Sequence, residues 1–112
     1  MLNVTFYEDS RQRLSSVLAA GHADAAVAGE DVVCAAASAI LQAAELGLAS
    51  YAGVDTAQVT RGDGEMSFRI AGGARDREDV KAILATAELA IEKLAWQFPV
   101  HVRFVREAEP AG

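Results

Sequence analysis

Two segments of this chain carry apolar residues at the spacing of a helix with one buried face, and they limit the folds open to it. In the first, Val33, Ala37, Ile40, Leu41, Ala44 and Leu48 fall on one stripe. In the second, Val80, Ile83, Leu84, Ala87, Ile91 and Leu94 do the same. The first is expected to run from residue 30 to about residue 49. The second is expected over 76–97, with Pro99 ending it. Each needs an apolar layer to lie on.

The segments between them alternate instead. Leu2, Val4 and Phe6 interleave with Asn3, Thr5 and Tyr7, the pattern of a half-buried strand. Residues 13–20 read as a second strand after a polar turn, making a hairpin. Residues 54–60 and 65–71 flank Arg61-Gly62-Asp63-Gly64, a strong hairpin signal. Gly72-Gly73 interrupts the chain again. A last strand is expected over 100–106, with His101 and Arg103 on one face and Val102 and Phe104 on the other. The expected fold is α+β in the order ββαββαβ, with two helices on one face of a mainly antiparallel sheet. One domain should span 1–106, followed by a polar tail over 107–112.

Composition removes several classes of function. The chain has 112 residues, 52% apolar and 23% charged, a globular balance. A net charge of −6 argues against direct nucleic-acid binding, which needs clustered Lys and Arg. An acidic surface is compatible with a basic partner. The single cysteine rules out an intramolecular disulfide and fits a reducing cytoplasm. The first residues lack the pattern of a signal peptide. The longest apolar run, Val32 to Leu41 broken by Ser38, is too short to span a bilayer. A soluble cytoplasmic protein is therefore expected.

Few residues are equipped for chemistry. Cys34 sits in or near the first turn of the first helix, where unpaired N–H groups and the helix dipole favour a thiolate. The same N–H groups suit an oxyanion. Cysteine is also a common core filler, and on helix position alone packing outweighs chemistry. Asp31, three positions before Cys34, and Ser38, four after it, share its side of the helix and make that side polar. Asp31 equally suits a helix start, and Ser38 equally suits a bond to a carbonyl one turn back.

His22 lies between Gly21 and Ala23, in a stretch of small residues after the second strand. An imidazole there can take the thiol proton and return it to a leaving amine. His101, the only other histidine, reads as a solvated or edge residue. One cysteine and two distant histidines give no metal-ligand spacing, so neither metal nor cofactor is expected. Gly72-Gly73 lacks the Lys-Ser or Lys-Thr of a phosphate loop.

Gly21-His22-Ala23, then Gly29-Glu30-Asp31-Val32-Val33-Cys34-Ala35-Ala36, then Ser38, Gln42 and Gly47-Leu48, resemble the bacterial ribosomal-processing cysteine protease family. The match is specific in this first half and looser over the remaining elements. The resemblance implies a homodimeric endopeptidase. It would remove an N-terminal extension from large-subunit ribosomal protein twenty-seven around ribosome assembly. It places the nucleophile at Cys34 and the general base at His22, with Gly21, Asp31 and Ser38 in support. The loop Ala23, Asp24, Ala25, Ala26, Val27, Ala28 and Gly29 would admit the peptide; a loop that must open needs hinge freedom, which Gly21 can supply. That loop is alanine-rich and lacks the aromatic residue that family loops often carry. The alternative is an acidic assembly module that holds a basic ribosomal protein without cutting it.

Overall fold

The computed structural model describes residues 1–21, 30–56, 60–62 and 65–110, with Glu30, Asp31 and 60–62 described by backbone alone. Its elements are β1 (Leu2–Glu8), β2 (Leu14–Ala20), α1 (Glu30–Leu46), β3 (Thr60–Gly62), β4 (Glu65–Arg69), α2 (Glu78–Gln97) and β5 (Val102–Ala108). The expected order ββαββαβ is the order found. The five strands form one sheet, β3-β4-β2-β1-β5, antiparallel throughout except for the parallel pair β1 and β5.

The alternation in β1 decides which face is covered. Leu2, Val4 and Phe6 are buried, and the ladder sets them beside Val102, Ala19 and Val17. Val17 in turn faces Phe68 on β4. Both helices bury their stripes on this face: Val33, Ala37, Leu41 and Ala44 from α1, continued by Leu48 in the turn that follows it, and Val80, Leu84, Ala87, Ile91 and Leu94 from α2. Ile40 and Ile83 are half-buried at the margin. Fully burying one such aliphatic or aromatic side chain stabilises the fold by about 1.5–3 kcal/mol, against about 0–1 for an exposed ion pair. The stripes therefore orient the helices.

Several boundaries depart from the sequence reading. α1 gives way to a wider turn over Gly47–Tyr51, in which the Ala52 N–H donates to the Gly47 carbonyl. Gly53 then takes φ +66°, and the Val54 N–H donates to the Leu48 carbonyl. Val54 is buried as a helix stop, not as the start of a strand. β3 is only Thr60–Gly62, and residues 57–59 lie outside the described residues. Gly62 pairs with Glu65, while Asp63 and Gly64 of the expected turn lie outside the description.

The start of α2 is delayed to Glu78 by a tight turn at Gly72–Ala74 and an extended Arg77. Arg77 donates to Asp79 and to the Ala52 carbonyl, tying the start of α2 to the end of α1. His101 precedes β5 instead of sitting on a strand face. It lies in the turn after α2, and its carbonyl accepts the Leu2 N–H at 2.9 Å. β5 begins at Val102 and runs to Ala108, so pairing with β1 draws in two residues expected in the polar tail. Val32–Tyr51 has the length and mean hydropathy, 1.7, to cross a membrane by composition alone. Its core stripe is nevertheless packed on the sheet.

The two ends of the sheet are closed differently. At the β1–β2 turn, the Asp9 carboxylate accepts the Arg11 and Arg13 N–H groups and pairs with the Arg13 and Arg75 guanidinium groups. Arg75 is buried and also donates to the Ile70 carbonyl. Desolvation pushes the Asp9 carboxyl up. The Arg13 N–H, the Arg75 and Arg13 guanidinium groups and the Arg11 N–H outweigh it and hold the carboxyl well below its ordinary range.

At the other end, β2 finishes at Ala20, and the next residue, Gly21, has φ +97°. A Cβ built there would lie 2.5 Å from the Met1 carbonyl oxygen. The position thus combines a left-handed backbone with main-chain contact, and only glycine meets both.

Two outcomes follow from these closures. Asp9 is depressed in the fold, so its contribution is complete above the unfolded carboxylate value, about 3.9, and is lost as pH falls toward the folded value. Melting temperature should hold from pH 7 to about 5 and drop below about 4. Asp9→Asn should lower it at pH 7 and shrink the acid drop, as thermal scans across pH would register. Gly21→Ala should lower the melting temperature by several degrees, because the clash is with backbone and cannot relax by rotating a side chain. An unchanged melting temperature would leave hinge freedom as the role of Gly21.

Candidate active site

The phase of the α1 stripe determines where Cys34 goes. Val33 and Ala37 point into the core. Cys34, one residue after Val33, is turned about 100° from it and lands on the seam between core and solvent. It is half-buried and packs against the core cluster. Ser38, one turn on, is exposed. Asp31 lies one turn earlier in the backbone of α1. The side of α1 expected to be polar is thus a boundary, with the core below the sulfur and solvent beside it.

Two geometric consequences bear on reactivity. Side chains on a helix tilt toward its N-terminus, so the Cys34 thiol leans toward the first turn. The N–H groups of that turn have no intrahelical acceptor, and the positive end of the dipole lies there. Cys34 also sits on the flank of α1 opposite Ile40 and Gly47, which turn toward α2 and line a groove against it. α2 lies beside β5, as the Arg106–Glu88 ion pair at 3.0 Å shows. The cysteine therefore opens away from α2, on the side of β2 and β4.

The described residues bring part of the expected site together. Cys34 and Ser38 share one flank of α1, and Gly21 closes β2 against Met1. His22 and the loop Ala23 to Gly29 lie outside the described residues, as does the Asp31 side chain. His101 is half-buried in the turn before β5, next to β1 and not beside β4. Among the described residues, no three His, Cys, Asp or Glu side chains gather as a metal site would require. The Met1 carbonyl was not foreseen as a neighbour of Gly21. A glycine just before a histidine at a strand end was the available signal, but the contact depends on tertiary placement.

Comparison with known proteins gives this arrangement a family. The family model for cysteine protease Prp matches residues 1–103. No curated protein sequence matches. Among solved structures, one from Streptococcus mutans has a TM-score of 0.85 at 27% identity, covering 97% of this chain and 96% of its own. The ribosomal processing protease Prp from S. aureus, with a covalently linked product peptide, has a TM-score of 0.82 at 21% identity, covering 95% and 99%. The same S. aureus enzyme with a substrate peptide gives the same values. With the family model covering nearly the whole chain and the cysteine on the seam behind a helix start, the chain belongs to the Prp family of cysteine proteases.

Proposed function

We propose that this chain is the endopeptidase that removes the N-terminal extension of its host's large-subunit ribosomal protein twenty-seven, with Cys34 as nucleophile and His22 as general base and acid. One observation carries the reading. The only cysteine of a chain in a cysteine protease family lies half-exposed behind the N-terminus of α1. The S. aureus relative is a ribosomal processing protease with peptide complexes, which supports a peptide from a ribosomal protein as the substrate. The reaction would take place in the cytoplasm, where the thiol stays reduced. The active species is proposed to be a homodimer.

The steps follow from the residue chemistry. His22 takes the Cys34 proton, and the thiolate attacks the scissile carbonyl carbon. The carbonyl electron pair moves to oxygen, and N–H groups at the start of α1 receive the oxyanion. The tetrahedral species collapses to a thioester as the C–N bond breaks, and His22 gives its proton to the leaving amine. Water, deprotonated by His22, then releases the acyl product. Gly21 holds the chain entering His22. Asp31 either orients the imidazole or stabilises the helix start. Ser38 borders the thiol, and the 23–29 loop admits the peptide.

Two measurements test the dyad. Cys34→Ser and His22→Ala should each lower turnover of a peptide spanning the processing site by at least about 10²-fold, the lower range for general acid–base help. Retention of near wild-type cleavage by either variant rejects the assignment. In the native protein, Cys34 should react with iodoacetamide faster than cysteine itself at pH 7, and His22→Ala should slow it. A thiol that serves only packing would react more slowly than cysteine. Incubation with the precursor ribosomal protein, followed by mass spectrometry of the products, checks the substrate. Release of one N-terminal peptide is expected.

A further inference from the structure

The helix-covered face of the sheet is covered unevenly. Val4 on β1, Ala19 on β2 and Met66 on β4 form one row across the ladder. Val4 is 0% exposed and Ala19 7%, but Met66 is only half-buried. One step along, Phe68 is 1% exposed, and Ile70, past the end of β4, is 0%. The cover over β4 therefore opens at the start of the strand.

That start lies on the same side as Cys34. The segment after α1 meets Arg77 through the Ala52 carbonyl, and Arg75 nearby meets Asp9 at the β1–β2 turn. α1 is about 25 Å long, so it begins at the opposite end of the sheet, where β2 finishes and β4 starts. Cys34, near the beginning of α1, opens on the side of β2 and β4. Cys34 and Met66 are both half-buried against the same core cluster.

The described surroundings of Met66 are small and apolar. Ala19 offers only a methyl beside it, where the next row sets Val17 beside Phe68. Glu65, Ser67 and Arg69 alternate to the open face of the sheet. On the Cys34 flank of α1, Ser38 and Glu45 stand one and three turns further along, away from the helix start. Arg61, the register partner of Met66 on β3, is described by backbone alone. Met66 itself is unbranched and polarizable, so it adapts to side chains of different shape.

We propose that Met66 is the floor of a subsite that takes an apolar side chain of the peptide substrate, close to the bond that Cys34 attacks. For attack, the scissile carbonyl carbon must come within about 3–3.5 Å of the sulfur, so the peptide crosses the flank of α1 that carries Cys34. An extended peptide turns alternate side chains to opposite sides, so one beside the bond faces the sheet. Three residues of extended chain span about 10 Å, the width of a helix, so the side chain that meets Met66 stands within about three positions of the bond. Met66 touches the substrate and takes no part in proton or acyl transfer, so its loss acts on KM and spares kcat. The inference rests on the endopeptidase reading above and gives it a specificity-determining residue.

Steady-state kinetics on the full chain test it. The probe is a peptide spanning the processing site of the host's ribosomal protein, with each large apolar residue within three positions of the cleaved bond replaced by Ala in turn. In the wild type, one replacement should raise KM about tenfold with kcat within about twofold. Met66→Ala should raise KM for the unaltered peptide by a similar factor, and that same replacement should then cost less than about twofold more, because its partner is gone. Met66→Gln, which keeps the side-chain length and adds a polar end, should behave as Met66→Ala does; Met66→Leu should stay within about threefold of wild type. Alkylation of Cys34 by iodoacetamide should stay within about twofold of wild type in all three variants, which separates a lost subsite from a disturbed fold. Losses that multiply independently at every peptide position, or a wild type indifferent to every replacement, overturn the subsite and keep the endopeptidase. A wild type that cleaves none of these peptides overturns both.

Discussion

Burial of Val33, Ala37, Leu41, Ala44 and Leu48 on one face of the sheet sets the rotation of α1 about its own axis. A helix has a single rotational freedom once its stripe is docked, and this stripe uses it up. Every other property of the helix is then geometry. Cys34 falls on the seam, Ser38 beside it in solvent, Ile40 and Gly47 toward α2, and Val32 and Leu46 outward. A one-residue shift in the apolar pattern would carry the thiol into the core or into full solvent. Half-burial leaves the sulfur backed by apolar atoms and close to the helix start.

The sheet supplies the frame for this rotation by being closed at both ends through backbone and buried charge. At the β1–β2 turn, Arg75 arrives from the segment before α2 and joins Asp9 and the Ile70 carbonyl. A buried guanidinium is costly unless its donors are used, so this contact binds the hairpin, the β4 exit and the approach to α2 into one unit. At the opposite end, the Met1 carbonyl lies so close to Gly21 that it leaves no room for a Cβ there. There the Leu2 N–H also donates to the His101 carbonyl, so the start of β1, the end of β2 and the turn after α2 converge.

Much of the fold was legible in the residues because its signals are local. The β1 alternation and the two helical stripes each report a periodicity, and the order ββαββαβ followed from them. Errors came where a long-range partner outweighed a local preference. Val54 looked like strand, but Gly53 and the wide turn at Gly47–Tyr51 use it as a helix stop. His101 looked like strand, but the turn after α2 takes it and its carbonyl accepts the Leu2 N–H. Glu107 and Ala108 looked like tail, but β1 is long enough to pair with them. Arg75 carried no local sign that it would be buried.

For function the division is similar. The residue types and spacings around Cys34 and His22 left packing and chemistry both open, and the resemblance of the surrounding motif to a protease family is what named the chemistry. The family match then covers residues 1–103. Sequence alone could not place the thiol at a boundary or show that Gly21 has no room for a side chain. Those depend on which face of each helix meets the sheet and on how close two backbones come. Only the packed chain decides them, because burial and close approach are relations between segments far apart in sequence.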